Sequence, residues 1–271
     1  MNPADENDTP VFVGRFNIGA VSLHLPMIYA KARQEGKDFY QVLDYYLELI
    51  RQLHIRTYDY LGELKASTNP LAYCEGGFYG GNLGLYDKIK PLLKAATASF
   101  GITALNELQQ LHNKKSLVED GQFAVEVLEY INKKVAEFKE EDGHLYAIYG
   151  TPAENLCYTA MKKFKNKFGI IPNVSDRAYF TNSMHVPVWE EVDIFTKIDI
   201  ESELTGYSSA GWAVGDLSNW DTSSASVMER MFNYCKSLRN IKIGDIVLCL
   251  MKSKQNFLIK DMAHISGFCR Q

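Results

Sequence analysis

The segment around residue 150 is where residue types and spacing first suggest chemistry. It runs Tyr149-Gly-Thr-Pro-Ala-Glu154 after an apolar stretch, with Thr151 as a helix cap, proline at the first helical position and glutamate at the third. The free amides and positive dipole end of such a helix favour an anion. Because ligands of α/β sheets lie at the carboxyl ends of strands, a phosphate at Gly150, Thr151 and Ala153 is physically reasonable. The local pattern alone favours an ordinary capped helix, and anion binding stays open.

Two polar residues near the start of the chain form a second candidate site. Arg15 and Asn17 flank Phe16 where a mostly apolar run begins. A polar amide inside such a run either satisfies backbone groups or reaches a ligand. The pattern alone favours backbone satisfaction, and ligand binding stays open.

A histidine provides the third candidate. His185 lies in the segment Thr181-Asn-Ser-Met-His-Val-Pro-Val188. Its imidazole could act as a base or as an orienting donor, although a lone histidine beside Pro187 is more often structural. No second histidine lies at metal-ligand spacing from it, so we predict no metal site here.

Other familiar catalytic patterns are missing or incomplete. The glycine-rich stretch 75–82 lacks the Lys-Ser or Lys-Thr of a phosphate loop, so we interpret it as a mobile connection. No Ser-His-Asp order or paired-carboxylate spacing supports hydrolysis. Five cysteines, odd in number and without CxxC spacing, argue against a disulfide framework and a sulfur-rich zinc site. We expect free, mostly buried thiols at Cys74, Cys157, Cys235, Cys249 and Cys269.

Length and composition exclude several classes of protein. The 271 residues are 46% hydrophobic and 12% aromatic, enough for the core of one large or two modest domains. A net charge of −4, from 29 basic and 33 acidic residues, offers no basic surface for nucleic acid, so we expect no direct nucleic-acid partner. No apolar run approaches the roughly 20 residues that span a bilayer, and the acidic N-terminus is unlike a secretion signal. We therefore expect no membrane partner and a cytoplasmic location.

Alternating strand and helix patterns predict the fold class α/β. Asp38 is a plausible cap for the first long helix, and Gly143 ends a later one. Strand, helix, strand, helix implies a parallel sheet covered by helices. The connection after Ser67 is predicted to be loop as far as Tyr86. The predicted strands are 16–25, 98–102 and 145–149, and the predicted helices are 38–65, 103–112, 119–141 and one that begins at 151.

The sequence pattern changes after about residue 206. The segments Asp216-Leu-Ser-Asn-Trp-Asp-Thr-Ser-Ser224 and Met228-Glu-Arg-Met-Phe-Asn-Tyr-Cys235 resemble the leucine-rich-like repeats of bacterial surface proteins of the BspA type. We expect an α/β domain over residues 1–210 and a repeat-like tail over 211–271. Within the tail, Leu238, Ile241 and Ile243 are predicted to supply a short inward strand. One and a half repeats bury too little to stand alone.

Six segments of the first 210 residues resemble one enzyme family, in the family's own order. That family is the large subunit of the anaerobic, glycyl-radical (class III) ribonucleoside-triphosphate reductase. Its fold is a ten-stranded α/β barrel, of which this chain would supply a part. The segments are Gly14-Arg-Phe-Asn-Ile-Gly-Ala-Val-Ser-Leu-His-Leu-Pro-Met27, Leu71-Ala-Tyr-Cys-Glu-Gly-Gly-Phe78, Ala98-Ser-Phe-Gly-Ile-Thr-Ala-Leu-Asn-Glu107, Tyr149-Gly-Thr-Pro-Ala-Glu-Asn-Leu156, Asn173-Val-Ser-Asp-Arg177 and Thr181-Asn-Ser-Met-His-Val-Pro-Val188.

The resemblance implies radical chemistry on a ribonucleoside triphosphate. In the family, a radical-SAM activase places a radical on a glycine, and the radical passes to a cysteine that abstracts the 3′ hydrogen of the ribose. The 2′ hydroxyl then leaves, and formate supplies the electrons. The family is homodimeric, carries a structural zinc and responds to ATP and dNTP effectors; we expect none of these cofactors to be held by this chain itself.

The resemblance also implies site residues. Asn17 matches an asparagine expected to hydrogen-bond the substrate ribose, and the turn 150–154 matches a stretch that lines the substrate end of the barrel. The implied substrate-binding set is Arg15, Asn17, Tyr149, Gly150, Thr151, Ala153, Glu154, Asn182, Ser183 and His185.

The sequence departs from the family at its radical-carrying positions. The family's thiyl cysteine lies in a Met-Gly-Cys-Arg loop shortly before the Gly-Arg-x-Asn motif, and residues 1–13 contain no cysteine. The four-cysteine zinc segment, the Arg-x-x-Gly-Tyr radical loop and the nucleotide-sensing ATP-cone have no counterpart in the 271 residues. We therefore expect this chain to be inactive on its own, and we regard the homodimer and the activase as doubtful partners.

Two other functions remain open at this stage. The chain could be a non-catalytic interaction protein that uses its repeat-like tail. It could also be a reading frame without selected function, whose open sheet edges would aggregate.

Overall fold

The computed structural model describes residues 14–151 and 154–208, together with the backbone of three later strands. The first two ranges form an α/β unit with one parallel sheet, as predicted. In chain order its elements are β1 (Asn17–His24), α1 (Leu25–Glu35), α2 (Phe39–Gly62), α3 (Pro70–Tyr73), β2 (Thr97–Thr103), α4 (Leu105–Asn113), α5 (Gln122–Asp142), β3 (Leu145–Gly150), α6 (Glu154–Phe168) and α7 (Ile194–Thr205).

The sheet has the strand order β1-β2-β3, and both pairings are parallel. Parallel neighbours need a crossover connection, and the long helices α2 and α5 lie in the two connections. Three parallel strands are thus described for this sheet. The ten-stranded barrel remains a prediction.

The main hydrophobic core lies between the sheet and helices α2 and α5. Phe100 and Ile148 of the sheet are fully buried there, together with Leu43 and Leu47 of α2. The whole predicted apolar face of α5 is buried in the same core, which confirms its helical periodicity. That face consists of Phe123, Val127, Leu128, Ile131, Val135 and Phe138.

A second, smaller core lies between α4 and α6 and the chain that follows α6. Phe164 of α6 and Phe180 beyond it are both fully buried, and Cys157 packs with them. The first turn of α6 and the segment after Phe180 are therefore held together by apolar burial.

Two helix ends lie as predicted. The carboxylate of Asp38 accepts a hydrogen bond from the Gln41 amide, 3.2 Å, and caps the start of α2. Gly143 adopts a left-handed conformation with φ 65° and donates its amide to the Lys139 carbonyl, which ends α5.

The connection predicted to be loop as far as Tyr86 contains a short helix, α3. Asn69 caps α3 through the Ala72 amide, 3.3 Å, and Pro70 occupies its first turn. Asparagine followed by proline is a helix-start signal that the glycines nearby obscured. The glycine-rich part is also tied down, because the Tyr79 amide donates to the Gly14 carbonyl, 2.9 Å, and Phe16 stacks on Phe78 with 4.1 Å between ring centroids. These contacts attach the glycine-rich part to the start of β1, and its interpretation as a mobile connection stays a prediction.

Three further strands, β4 (Asn240–Ile243), β5 (Ile246–Lys252) and β6 (Phe257–Lys260), pair antiparallel in sequence order. A strand was predicted near Ile241 and Ile243, but a solenoid repeat would align it parallel to its neighbours rather than antiparallel. The repeat motifs at 216–235 and the boundary near 211 lie outside the described residues and stay predictions.

In the described part of the chain, we find no helix whose length and apolar content would let it span a membrane.

Candidate functional site

The parallel sheet has one apolar face and one polar face. Phe100 and Ile102 of β2 point into the main core, so the alternate residues Ser99, Gly101 and Thr103 lie on the opposite face. The strand register places Ser22 of β1 beside Gly101 on that face. Small polar side chains therefore line the face opposite the helices α2 and α5, and Ser99 and Thr103 are fully buried there.

Gly101 brings two hydroxyl groups together across the middle strand. The Ser22 hydroxyl on β1 donates to the Thr151 hydroxyl after β3, 3.0 Å, although β2 runs between them. A Cβ atom at Gly101 would lie 2.1 Å from Thr151 Oγ1 and 2.6 Å from Ser22 Oγ. Only a residue without a side chain leaves room for this contact.

Asn17 lies on the same polar face, at an irregularity where β1 begins. Its amide nitrogen donates to the Ser99 hydroxyl, and its oxygen accepts the Gly19 amide, 2.8 Å. Gly19 has φ 152°, and the strand register shifts between Asn17 and Gly19. The expected backbone satisfaction is confirmed for the side-chain oxygen, and the Asn17 side chain remains exposed.

Arg15 does not lie on the strand but is held by the glycine-rich connection. Its guanidinium is 5.0 Å from the centre of the Tyr79 ring, and the residue is buried. Gly14, with φ 82°, approaches the Tyr79 backbone so closely that a Cβ there would lie 2.8 Å from its amide nitrogen. The connection therefore positions Arg15 at the start of β1.

The turn after β3 is described only in part. Tyr149 is half-buried, Gly150 is buried and Thr151 makes the contact with Ser22. Ala153 and the side chain of Glu154 lie outside the described residues, so the predicted capping box remains a prediction. Helix α6 begins at Glu154 and has 15 residues.

The third predicted group, Asn182, Ser183 and His185, lies in one loop between α6 and α7. The Cys157 thiol, one turn into α6, is 3.9 Å from the Thr181 carbonyl and 3.9 Å from the Asn182 side-chain oxygen. Because α6 starts directly after the Thr151 turn, its first turn connects that turn with this loop. We call residues 181–186 the 181–186 loop.

Buried carboxylates hold the 181–186 loop. The Glu107 side chain accepts both the Thr181 amide, 3.1 Å, and the Thr181 hydroxyl, 2.7 Å. Burial raises the pKa of Glu107, and the hydrogen bonds from Thr181 oppose that rise. The uncharged form is therefore favoured by the surroundings of this residue.

The other buried carboxylate lies on α7. Glu201 accepts the Val186 amide, 2.9 Å, and its second oxygen is 3.3 Å from His185 Nδ1. Burial alone would raise the pKa of Glu201, but the hydrogen bond from His185 and the charges of His185 and Lys197 outweigh it and lower the pKa. The His185 ring therefore contacts a buried carboxylate through Nδ1.

His24, which the sequence pattern did not single out, ends β1 on the polar face. Its Nδ1 accepts the Met27 amide, 3.1 Å, and its ring packs edge-on against Phe180, 4.6 Å between centroids. Burial lowers the pKa of His24 to about 4. The ring is therefore neutral at pH 7, with its proton on Nε2.

The groups on the polar face are neutral hydrogen-bonding groups. Amide and hydroxyl groups of this kind suit sugar hydroxyls, and the start of a 15-residue helix suits a phosphate. In residues 14–151 and 154–208, no cluster of three or more histidine, cysteine, aspartate or glutamate side chains could hold a metal ion. Binding of a polar organic ligand is what this arrangement can do.

The sequence was compared with models of known protein families. Residues 2–240 match the family model of the anaerobic ribonucleoside-triphosphate reductase. This chain belongs to that reductase family. The match extends past residue 211, where the repeat-like tail was expected to begin.

Individual anaerobic ribonucleoside-triphosphate reductases agree with the family model. The Escherichia coli K12 enzyme is 30% identical over 214 residues, which cover 77% of this chain and 30% of the relative. The phage T4 enzyme is 30% identical over 213 residues, which cover 76% of this chain and 34% of the relative. The chain thus spans about a third of the length of these reductases.

Solved reductase structures share the fold. The Thermotoga maritima anaerobic ribonucleotide reductase with glycerol in the active site aligns with a TM-score of 0.57 and 19% identity, over 73% of this chain and 31% of that one. The same enzyme in complex with dATP and CTP aligns with a TM-score of 0.55 and 20% identity, over 73% and 33% of the two chains. At such identity the likeness concerns the fold alone.

Sequence reasoning missed several residues that the structure places at the site. Ser22 and Ser99 are ordinary strand residues until the register brings them onto the polar face beside Thr151 and Asn17. Glu107 ends the family-like segment 98–107, but its contact with Thr181 spans 74 positions of the chain. A polar residue in the first turn of a buried helix was the available signal for Glu107.

Proposed function

We propose that this chain forms the ribonucleotide-binding part of an anaerobic ribonucleoside-triphosphate reductase. The observation that carries the proposal is the polar sheet face, on which the family-motif residues Asn17 and Thr151 lie with Ser22 and Ser99. Family membership supports a ribonucleoside triphosphate as ligand. The complex of the Thermotoga enzyme with dATP and CTP supports nucleotides as ligands of the shared fold.

In this proposal, each group has one role in binding. The Asn17 amide nitrogen exchanges its bond to Ser99 for one to a ribose hydroxyl, since the side chain is exposed. The turn at Gly150 and Thr151 receives a phosphate at the start of α6, where backbone amides and the helix dipole favour negative charge. The 181–186 loop closes the same end through its contact with Cys157 of α6.

The three-stranded sheet would be a segment of the family's ten-stranded barrel. The first part of β1, exposed at Asn17, Gly19 and Ala20, is the surface that the rest of a barrel would cover. The chain spans about a third of its relatives, which fits a partial barrel. Glycyl-radical, formate, zinc and effector functions would then belong to other parts of the enzyme.

Nucleotide titration tests the binding proposal. We expect the 271-residue chain to bind CTP or ATP in isothermal titration, and to bind the corresponding monophosphate more weakly because the phosphate contacts are fewer. Asn17→Ala and Thr151→Ala should each weaken binding about fivefold to tenfold. Asn166→Ala, at an exposed position of α6, is the matched control and should leave the affinity unchanged. Absence of any nucleotide binding by the unmodified chain would refute the proposal.

We further propose that the 271 residues alone bind substrate without reducing it. The two cysteines whose side chains the structure describes lie in packed surroundings: Cys74 contacts the main core and Cys157 the smaller core. The hydrogen bonds that the structure describes for the Asn17 side chain are those with Ser99 and Gly19. Under strict anaerobiosis, with activase, formate and nucleotide, we expect no deoxynucleotide. Measurable turnover by the isolated chain would overturn this part.

A non-catalytic interaction role through residues 211–271 is the second candidate. The resemblance of segment 216–235 to surface-protein repeats is the observation that favours it. A pull-down with and without residues 211–271 separates the two functions. Loss of partners on deletion would favour the interaction role, whereas nucleotide affinity that survives deletion would favour the binding role of the sheet.

A further inference from the structure

The 181–186 loop is held at both ends by a buried glutamate, and each glutamate comes from a different helix. Glu107, in the first turn of α4, is 1% exposed, and Glu201, on α7, is 7% exposed. Buried glutamates are rare because the carboxylate loses its hydration. Two of them on one six-residue loop therefore require an explanation.

The first end of the loop is fixed through Thr181. One oxygen of Glu107 accepts both the backbone amide and the hydroxyl of Thr181, at 3.1 and 2.7 Å. Two bonds to one residue fix its position and its orientation together. The Leu105 amide, at the start of the same helix, donates to the Ser183 carbonyl, 3.3 Å, and continues this attachment along the loop.

The second end is fixed through Val186. Glu201 accepts the Val186 amide at 2.9 Å and holds the His185 ring at 3.3 Å. Lys197, one turn earlier on α7, lies 3.5 Å from the first Glu201 oxygen. The carboxylate thus has His185 and Lys197 beside it while it accepts the loop backbone.

The backbone between the two attachments is conformationally unfavourable. Ser183 has φ 52°, in the left-handed region, where a residue with a side chain is uncommon. Such a conformation persists only where the surroundings over-determine it. The attachments on both sides of Ser183 supply that constraint.

We propose that Glu107 and Glu201 are positioning residues that hold Asn182, Ser183 and His185 in the geometry required for nucleotide binding. The inference rests on the proposed function, because the 181–186 loop acts on a nucleotide only if this chain binds one. Neither glutamate touches the nucleotide in this scheme; each acts through Thr181 or Val186. The raised pKa of Glu107 fits a role in which hydrogen bonding rather than charge is used.

Paired substitutions separate positioning from simple stability. Glu107→Ala should weaken CTP affinity about tenfold, whereas Glu107→Gln, which retains an acceptor for both Thr181 groups, should restore it to within about twofold of the unmodified chain. Thr181→Val should weaken affinity less than Glu107→Ala, because the Thr181 amide can still donate to Glu107, and the double variant should be no weaker than Glu107→Ala alone. Gln110→Ala, on the same helix and without a role in the loop, is the matched control.

The α7 attachment is tested in the same way. Glu201→Ala should weaken CTP affinity about tenfold, and Glu201→Gln should recover part of it because the Val186 acceptor survives while the ion pair does not. Glu203→Ala, exposed on the same helix, is the control. If the alanine variants lower the melting temperature but keep CTP affinity within twofold, both glutamates are merely structural and the proposal fails.

A second measurement does not depend on nucleotide binding. In amide hydrogen exchange of the full chain, Glu107→Ala should release the Thr181 amide and Glu201→Ala the Val186 amide, each at least tenfold faster than in the unmodified chain. If the chain binds no CTP but these amides respond as stated, the proposed function fails while the attachment of the loop stands. Unchanged exchange in both variants would overturn the positioning proposal itself.

Discussion

Gly101 is the residue on which the polar face most depends. The two hydroxyl groups that meet across β2 occupy the space where a side chain at this position would be. The missing methyl group therefore has a direct structural role that no local pattern in the strand reveals. The site therefore depends on the absence of a side chain at Gly101 as well as on the hydroxyl groups of Ser22 and Thr151.

Replacement of Gly101 by alanine should be costly. The added Cβ would lie 2.1 Å from Thr151 Oγ1 and 2.6 Å from Ser22 Oγ, so both hydroxyl groups must move. We therefore expect a loss of about 1–3 kcal/mol in unfolding free energy and a weaker Ser22–Thr151 contact. Urea unfolding measures the loss. Gly121→Ala is the control, since the nearest atom to its added Cβ is 3.5 Å away. Equal stability of the two variants would contradict the crowding argument.

A partly buried ion pair gives a prediction with a defined pH dependence. Asp142 accepts two hydrogen bonds from Arg51, at 2.6 and 2.9 Å, and one from the Tyr146 hydroxyl, 2.9 Å. The bonds from Arg51 lower the pKa of Asp142; burial opposes them and Tyr146 assists. Because the folded pKa lies below the unfolded one, the stabilisation is fully present above the unfolded value of about 3.9 and is lost as pH falls through the folded value.

Asp142→Asn should therefore cost about 1–3 kcal/mol near pH 7. The difference from the unmodified chain should shrink steadily below about pH 4, where the native carboxylate also loses its charge. Chemical unfolding at a series of pH values measures both effects. Glu48→Gln removes a more exposed partner of Arg51 and should change stability by less than about 0.5 kcal/mol. A pH-independent difference for Asp142→Asn would argue against this account.

How far the sequence could identify the site differs between residues. Asn17 and Thr151 stand out because a polar group interrupts, or directly follows, an apolar run. Ser22 and Ser99 could not be selected, since small polar residues alternate in many strands and their meeting depends on the register. Glu107 had one local signal, its place in the first turn of α4, but the loop partners of Glu107 and Glu201 are fixed by tertiary packing and could not be predicted.

At the scale of elements, periodicity predicted the helices better than the connections. The apolar stripe of α5 and the cap of α2 follow from local rules, so both were predictable. Helix α3 was not predicted because its four residues are too few to show a period. Its start signal, Asn69 before Pro70, was present but stood next to a glycine-rich stretch that favours loop.

The cap of α2 can be tested by a single substitution. Asp38→Ala removes the acceptor for the Gln41 amide and should reduce the unfolding free energy by about 1 kcal/mol. Asp38→Ser retains an acceptor at the same position and should recover most of the loss. Thermal unfolding followed by circular dichroism compares the two variants. If serine and alanine destabilise equally, the capping bond contributes little.

At the scale of the whole molecule, the sheet is unevenly protected. On one side, the Ser208 hydroxyl donates to the Ile148 carbonyl of β3, 3.2 Å, and β3 is largely buried. On the other side β1 is exposed at Asn17, Gly19 and Ala20. Among the strands that the structure describes in this sheet, β1 has a single neighbour, β2.

An exposed strand of this kind should favour self-association. We expect light scattering by the isolated chain to rise steeply with concentration, because an open edge can pair with another chain. Ala20→Lys should reduce that rise, since a charged side chain disfavours edge-to-edge pairing. Gln52→Lys adds the same charge on an exposed position of α2 and serves as the control. An equal reduction by both variants would point to net charge rather than to the strand edge.

The contact across β2 also predicts how positions 22, 101 and 151 vary within the family. Positions 22, 101 and 151 share one small volume, so a larger residue at any one of them requires a smaller residue at another. Across related sequences these three positions should therefore change in concert, although 79 and 50 residues separate them along the chain. A relative with a side chain at the position of Gly101 should lack one of the two hydroxyl groups.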